Sequence, residues 1–405
     1  MRRLPFLNSL VVIAALGYFV DIYDLLLFGI LRVPSLQSFG LTSQAVLEKG
    51  IFILNMQMGG MLIGGILWGI LGDKKGRLSV LFGSIILYSV ASIANGFVSS
   101  VEAYAFWRFI AGVGLAGELG AGITLVSETL SKEHRGYGTM ITASFGILGA
   151  VAAGFMAEHF AWRTNYIIGG GLGLGLLILR ISTYESGMYL RVQAKKIHRG
   201  RFVSLFNDRN RFFRYLNCIL IGLPMWFVIG IVVTFSPEFG KELGINTAIL
   251  AGKSIVWTYA GLVIGDVASG LLSQMLRSRK KSVLVFLMGC VASVWWVLHL
   301  PSISTQAFYG VCFVLGISCG YWAVFMTVAA EQFGTNLRST VATTVPNFVR
   351  GSVIPATLLF QFLRPEYGIY WAALGVGAVC FFLAFVALFF LEETFGKELD
   401  FVEIC

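Results

Sequence analysis

Long apolar stretches alternate with short polar loops along almost the whole chain. Each stretch has about the length, roughly 20 residues, that an α-helix needs to cross a bilayer. We predict twelve transmembrane helices, called spans 1 to 12 in chain order. They cover residues 8–31, 51–72, 78–98, 102–128, 137–158, 163–183, 213–236, 247–276, 282–300, 302–331, 338–362 and 367–391. The pattern therefore predicts an all-α membrane protein.

The composition supports this prediction. Of the 405 residues, 57% are hydrophobic and only 13% are charged, whereas soluble domains average about a quarter charged residues. The net charge of +9 does not indicate nucleic acid, because the basic residues lie in short loops between spans. The apolar, basic N-terminus resembles a signal peptide, but its apolar character continues past Asp21, so we interpret it as a retained first span.

The chain repeats its own pattern after half its length. Glycines on span 2 recur 201 residues later on span 8, at Gly60/Gly261, Gly64/Gly265 and Gly69/Gly270. Glycines at this spacing let a neighbouring helix approach closely in lipid. The repeat predicts two pseudo-symmetric six-helix bundles: an N-half at 1–183, a basic cytoplasmic linker at 184–212, and a C-half at 213–405 with a short cytoplasmic tail.

The distribution of basic residues sets the predicted orientation. With a cytoplasmic N-terminus, 22 of the 30 Lys and Arg residues fall in inside loops, five outside and three in the membrane. Since cytoplasmic loops carry the Lys/Arg excess, both termini are predicted to be cytoplasmic.

Several motifs carry a family resemblance. The glycine-rich run GMLIGGILWGILGDKKGR at 60–77 resembles the span 2–3 signature of the major facilitator superfamily. SETLSKEHRG at 127–136 and AEQFGTNLRS at 330–339 resemble the paired Glu-x6-Arg signatures of its sugar-porter-like branch. Residues 184–186 and 393–397 resemble that branch's other cytoplasmic motifs. Arg108 with GVGLAGELGAG at 112–122 is similar to span 4 of bacterial metabolite–proton symporters.

The resemblance implies the major facilitator fold and secondary transport, in a bacterial inner membrane. One departure narrows the expected substrate. Sugar porters carry glutamines on span 7, but here that span contains CILIGLPMWFVIGIVV, with none. A sugar is therefore disfavoured, and we expect a small charged or zwitterionic metabolite such as an organic acid or amino acid.

Two opposite charges lie at matching predicted depth. Asp24 on span 1 lies about 10 Å below the outer end of its predicted helix, and Arg108 on span 4 about 9 Å. The resemblance implies that such a pair couples transport to protons. The alternative is a static buried pair that holds the N-half together, although a desolvated pair is a poor source of stability.

Other polar and aromatic residues inside the membrane are candidate substrate ligands, because ionisable groups there are costly. They are Asp21, Glu118, Trp226, Asp266, Tyr321, Trp322 and Arg350. Alternatives stay open: Asp266 could hydrogen-bond only to backbone, Arg350 could neutralise Asp266, Glu118 could be a proton relay, and the aromatic rings could simply pack.

Charged residues at the predicted cytoplasmic helix ends form a separate set. They are Asp73, Arg77, Glu128, Arg135, Glu331 and Arg338. The last four form two Glu-x6-Arg pairs with an offset of 203 residues. Charge-assisted hydrogen bonds among them could close a cytoplasmic gate between the halves, as the resemblance implies; the alternative is a solvated surface that only sets orientation.

Together these features predict a monomeric, proton-coupled symporter working by alternating access on a small-molecule substrate. The alternatives are a proton antiporter that exports amphipathic compounds and, less favoured, a transporter-like sensor or scaffold. The sequence has no nucleotide-binding loop, metal-ligand cluster or nucleophile–base arrangement, so we expect no cofactor, metal, nucleic-acid partner or enzyme activity.

Overall fold

A computed structural model describes residues 9–180, 202–245, 247–299, 303–398 and 400–403, and within these ranges it contains helices and no β-strand. Most of the predicted linker and the motif at 184–186 lie outside the described residues. The N-half helices are Ser9–Gln37, Ser43–Lys75, Arg77–Asn95, Val101–Leu115, Glu118–Thr129, Lys132–His159 and Trp162–Leu179. The later helices are Ser204–Asn207, Arg209–Leu220, Leu223–Phe227, the π-helix Val228–Val233, Ser236–Glu242, Ala251–Met275, Arg279–Leu298, Thr305–Cys319, Trp322–Glu331, Arg338–Gly351 and Val353–Phe390.

The predicted all-α membrane architecture is confirmed. Ten described helical stretches are long and apolar enough to cross a membrane. One of them, Arg338–Phe390, is 53 residues long and contains both span 11 and span 12. Helix Trp162–Leu179 corresponds to span 6. Spans 11 and 12 meet at Gly368, where a φ of +75° turns the chain in a conformation that only glycine adopts without strain.

Four spans predicted as single helices are discontinuous. Span 4 breaks after Leu115, span 10 breaks at Gly320 and Tyr321, span 11 breaks at Ser352, and span 7 passes through the π-helix Val228–Val233. Broken helices inside a membrane are tolerated where protein groups satisfy the freed backbone. At the span 4 break, the carbonyl of Ala116 accepts a hydrogen bond of 2.8 Å from the Asn347 side chain of span 11. The breaks therefore create polar backbone positions at the centre of the molecule.

The repeated glycines pack as their spacing predicts. A methyl group at Gly60 or Gly64 would collide with the backbone of span 4. At the equivalent Gly261 and Gly265, it would collide with the backbone of span 10. Each half thus uses the same glycine face to bring two helix backbones together, because dispersion contacts at close range stabilise helix pairs in lipid.

The two halves meet along pairs of facing helices. Span 2 packs against span 11, and span 5 packs against span 8. Gly69 of span 2 lies against Thr340, and Gly270 of span 8 lies against Met140. The same glycine-rich helices therefore pack within their own half and also against the other half.

Candidate functional site

A small cavity lies between the two halves. Its lining residues come from spans 1, 5, 7, 8, 10 and 11: Tyr18, Ile22, Ile147, Met225, Trp226, Ile229, Tyr259, Leu262, Trp322 and Arg350. Its volume is about 10 Å³, which is room for about one water molecule. Since both halves contribute walls, a relative movement of the halves would change its volume.

Arg350 is the charged residue among the lining groups, and its partner differs from the one considered from sequence. Its Nη2 lies 3.8 Å from Oδ2 of Asp21, and its Nη1 donates to Oδ1 of Asn347 at 3.3 Å. The suggestion that Arg350 neutralises Asp266 is wrong. The charge pair instead joins span 1 of the N-half to span 11 of the C-half.

Asp266 has a structural partner. Its Oδ1 accepts a hydrogen bond of 3.0 Å from the backbone N–H of Ala323, in the first turn of the second helix of span 10. A carboxylate at this position caps the helix that begins after the break. This matches the alternative in which Asp266 hydrogen-bonds to backbone.

Asp24 and Arg108 are in contact inside the N-half. Nη1 of Arg108 lies 3.4 Å from Oδ2 of Asp24, and its Nη2 donates to the Asp24 main-chain oxygen at 3.0 Å. The guanidinium also reaches Gln57 Oε1 at 3.3 Å. Ser92 donates to Asp24 Oδ1 at 2.5 Å. Both charged groups are fully buried. Neutralising either one would leave the other charge buried without its counter-ion, which is costly.

Glu118 forms a second buried pair within the N-half. Its carboxylate accepts two parallel hydrogen bonds from Arg180, one of them 2.9 Å from Nη1 to Oε2. Bidentate pairing of this kind is the strongest carboxylate–guanidinium geometry. Glu118, which was predicted to be a substrate ligand or proton relay, is therefore already paired with Arg180 near the end of span 6.

Two of the three predicted aromatic residues line the cavity. The rings of Trp226 and Trp322 lie 5.8 Å and 5.7 Å from the Arg350 guanidinium carbon. Nε1 of Trp322 donates to the Tyr18 hydroxyl at 2.8 Å, across the two halves. Tyr321 instead donates to the carbonyl of Ile221 at 2.9 Å and packs within the C-half.

At the end of the bundle that carries Asp73, Glu128 and Arg338, called the inner end, the halves are bound by polar contacts. The Asp73 carboxylate accepts hydrogen bonds from the backbone N–H groups of Ser339 at 3.2 Å and Thr340 at 2.8 Å. It also accepts one from the Thr340 hydroxyl at 2.6 Å. An N-half carboxylate therefore occupies the first turn of span 11 in the C-half, where the helix dipole favours an anion.

Glu128 continues this contact. Its Oε1 lies 2.9 Å from Arg77 Nη2 and 3.2 Å from Arg338 Nη1. Arg77 also donates to the carbonyl of Thr335 in the C-half at 3.3 Å. We call Asp73, Arg77, Glu128 and Arg338 the inner latch. All four are buried, so they form a closed contact and not a solvated surface.

One member of the predicted set, Glu331, falls outside this latch. Glu331 pairs with Arg279 at 3.4 Å, and both residues belong to the C-half, so Glu331 does not bridge the halves. This pair repeats the Arg77–Glu128 pair of the N-half at an offset of 202–203 residues. The side chain of Arg135 lies outside the described residues.

A protein-family comparison decides the identity of the fold. The model described as Major Facilitator Superfamily matches residues 14–357. The chain belongs to the Major Facilitator Superfamily.

Relatives of this facilitator are transport proteins. A Haemophilus influenzae protein assigned to metabolite transport is 28% identical, over 96% of each chain. The niacin transporter NiaP of Acinetobacter baylyi is 24% identical over 97% of this chain and 95% of its own. The benzoate transport protein of the same organism is 22% identical over 83% and 79%. The chain is therefore a multi-pass membrane transporter and not an enzyme.

Solved structures agree on the fold. The proton:xylose symporter XylE, with 6-bromo-6-deoxy-D-glucose bound, superposes with a TM-score of 0.78 over 97% of both chains, at 17% identity. At that identity the likeness shows the fold alone. The predicted major facilitator fold is confirmed.

The opposite, outer end of this facilitator is also closed. Arg32, in helix Ser9–Gln37, lies 3.3 Å from Glu238, which follows span 7. It also donates to the carbonyl of Thr234 at 3.4 Å. Its guanidinium carbon lies 5.3 Å from the Phe235 ring. We call Arg32 and Glu238 the outer latch. With both latches formed, the halves are in contact on both sides of the small cavity.

Sequence reasoning missed several residues of the site. Tyr18, Tyr259 and Arg180 are not among the predicted site residues. Arg32 and Glu238 lie just beyond the predicted ends of spans 1 and 7. Their position within a few residues of a span end is the sequence feature that could have identified Arg32 and Glu238. Whether such a charged residue is buried depends on the neighbouring helices, which the sequence does not give.

Proposed function

We propose that this facilitator is a proton-coupled symporter that imports a small organic acid carrying a planar ring. The observation that supports this best is the composition of the cavity: Arg350 lies among aromatic side chains, with Trp226 and Trp322 beside its guanidinium. A guanidinium suits a carboxylate through two parallel hydrogen bonds, and the aromatic walls suit a flat apolar body.

The relatives agree with this substrate class. Niacin and benzoate, named for two of them, are both aromatic rings bearing one carboxylate. Span 7 supplies Met225, Trp226 and Ile229 to the cavity and no glutamine, which argues for such a ring over a polyhydroxylated sugar.

For coupling, we propose that Asp24 binds and releases the driving proton under control of Arg108. The pair is fully buried, so separating it leaves a carboxylate that is costly as an anion and favourable when protonated. The Arg108 guanidinium also donates to the Asp24 main-chain oxygen and to Gln57. These acceptors lower the free-energy cost of breaking its contact with the Asp24 carboxylate during a transport cycle.

For the membrane arrangement, we propose that the inner latch faces the cytoplasm, with both termini on that side. The 1–183 and 213–405 halves would then rock about the central cavity as two bundles in one monomer, in a bacterial inner membrane. Opening the inner latch while the outer latch stays formed would deliver substrate inward.

The experiment measures uptake of radiolabelled nicotinate and benzoate into proteoliposomes. The pH gradient is set with the exterior either acidic or alkaline relative to the interior. We expect accumulation above equilibrium only with the exterior acidic. Absence of specific uptake of both acids, in either direction of the gradient, would refute the substrate class. Expulsion of preloaded acid in exchange for entering protons would indicate the antiporter instead.

Asp24→Asn tests the coupling role. It should retain exchange of labelled for unlabelled acid, which needs no net proton movement, and should reach a lower accumulation ratio than wild type at the same pH gradient. Glu158→Gln is the matched control, since Glu158 is exposed and faces Lys253 at 4.0 Å. Thermal stability of Asp24→Asn should fall by less than the roughly 3–5 kcal/mol typical of an unpaired buried charge. A folded Asp24→Asn protein that concentrates the acid as far as wild type does removes Asp24 from coupling.

A further inference from the structure

The contact between Asp21 and Arg350 differs from the other buried ion pairs of the membrane interior. At 3.8 Å it is an ion pair without a hydrogen bond. Within the described parts of the chain, both Asp21 carboxylate oxygens and the Nε and Nη2 of Arg350 have no hydrogen-bond partner. By contrast, Arg180 binds Glu118 with two hydrogen bonds. The Nε and Nη2 groups of Arg350 are therefore hydrogen-bond donors without an acceptor at the wall of the cavity.

The neighbours of Asp21 leave it with a single cation. The charged groups that act on it are Arg350 from span 11, Glu118 from span 4 and Asp24 from its own span. Glu118 is bound by Arg180 and Asp24 by Arg108. The phenols of Tyr18 and Tyr88 are the other titratable groups nearby. Among the described residues, Arg350 is thus the counter-ion that Asp21 depends on.

We propose that the carboxylate of the substrate displaces Asp21 from Arg350, and that the released Asp21 binds a proton. This inference rests on the proposed function, because it requires a carboxylate substrate. The step is balanced: a substrate anion and one proton enter, the guanidinium exchanges one carboxylate for another, and Asp21 becomes a neutral acid. The net charge of the site is the same before and after binding.

Electrostatics favours this exchange. Two carboxylates cannot share one buried guanidinium cheaply, since an unpaired buried anion is costly. A free ligand can align with the planar fork of Nε and Nη2 and form two hydrogen bonds, which Asp21, on the backbone of span 1, does not form. Protonation then removes the charge of the displaced carboxylate. Because Asp21 and Arg350 belong to different halves, substrate binding also removes an ion pair between the halves.

The test measures protons taken up on binding. Nicotinate or benzoate is added to purified protein in weak buffer with a pH-indicator dye, and affinity is measured in parallel across pH. For wild type we expect about one proton per acid bound, and an affinity that falls about tenfold per pH unit on the alkaline side. Asp21→Asn should still bind the acids, with proton uptake lost and affinity independent of pH. Glu158→Gln should behave as wild type.

The outcomes separate this inference from the proposed function. If neither acid binds wild type, both are overturned. If the acids bind and Asp21→Asn still takes up one proton, only the displacement is overturned. Should Asp21→Asn fail to fold because Arg350 lacks a counter-ion, the double variant Asp21→Asn/Arg350→Gln removes both charges. It should lose binding of both acids, and its binding of either acid would refute the exchange.

Discussion

Removing the Asp73 carboxylate should open the inner end of this facilitator. Asp73 accepts three hydrogen bonds from Ser339 and Thr340 across the halves, at 3.2, 2.8 and 2.6 Å. In Asp73→Ala, the two backbone donors in the first turn of span 11 stay unsatisfied whenever the inner latch is closed. They are free to meet water when it is open. The variant therefore destabilises the closed state selectively.

The size of the effect follows from these contacts. Leaving buried donors without a partner costs about 1–3 kcal/mol, and loss of a carboxylate at a helix N-terminus adds about 0.3–1 kcal/mol. A total of about 1.3–4 kcal/mol changes the ratio of closed to open states roughly 9- to 900-fold. Asp73→Asn keeps an acceptor without the charge, so it should give an intermediate shift.

The assay is alkylation of Thr343→Cys, a buried position on span 11 beside Gly120, in detergent. All six native cysteines are replaced by serine in this background. We expect Asp73→Ala to raise the maleimide labelling rate at least tenfold. Arg32→Gln, which breaks the outer latch, should lower that rate, because it favours the state that is open at the other end. An unchanged rate in Asp73→Ala, in a folded protein, would refute the gating role of these contacts.

Two further predictions concern stability. Gly265→Ala should destabilise the protein by about 1–3 kcal/mol because its methyl collides with the span 10 backbone; Gly310→Ala, where no described atom lies within 4 Å of the new methyl, should leave the melting temperature unchanged or higher. Partial burial raises the pKa of Glu393, but hydrogen bonds from Ser278 and backbone amides outweigh it and hold that pKa below its ordinary 4.5. A carboxyl group whose pKa is lower in the folded state than in the unfolded state stabilises the protein at pH values above its unfolded-state pKa. This stabilisation is lost as the pH falls through the folded-state pKa. The melting-temperature difference between wild type and Glu393→Gln should therefore close on acidification below 4.5, and an equal difference at all pH values would contradict it; Glu392→Gln, at an exposed neighbour, is the control.

The fold could be predicted from sequence because its determinants are local. An apolar run of about 20 residues specifies a spanning helix wherever it lies in the chain, and the glycine spacing of spans 2 and 8 specifies a close helix contact. The repeat of Glu128 and Glu331 likewise indicated two similar halves. The helix breaks in spans 4, 7 and 10 escaped prediction, because each is compensated by a group distant in sequence, such as Asn347 at Ala116.

The partners of the charges were decided only by the tertiary structure. Sequence position gives the depth of a residue along its helix, and it placed Asp24 and Arg108 correctly at one level. It does not give the rotation of that helix or the identity of the neighbour it faces. For this reason Arg350 binds Asp21 instead of Asp266, and Glu331 binds Arg279 within its own half. A buried charge takes whichever counter-ion the packing of distant helices brings within about 4 Å, and that distance is a property of the assembled bundle.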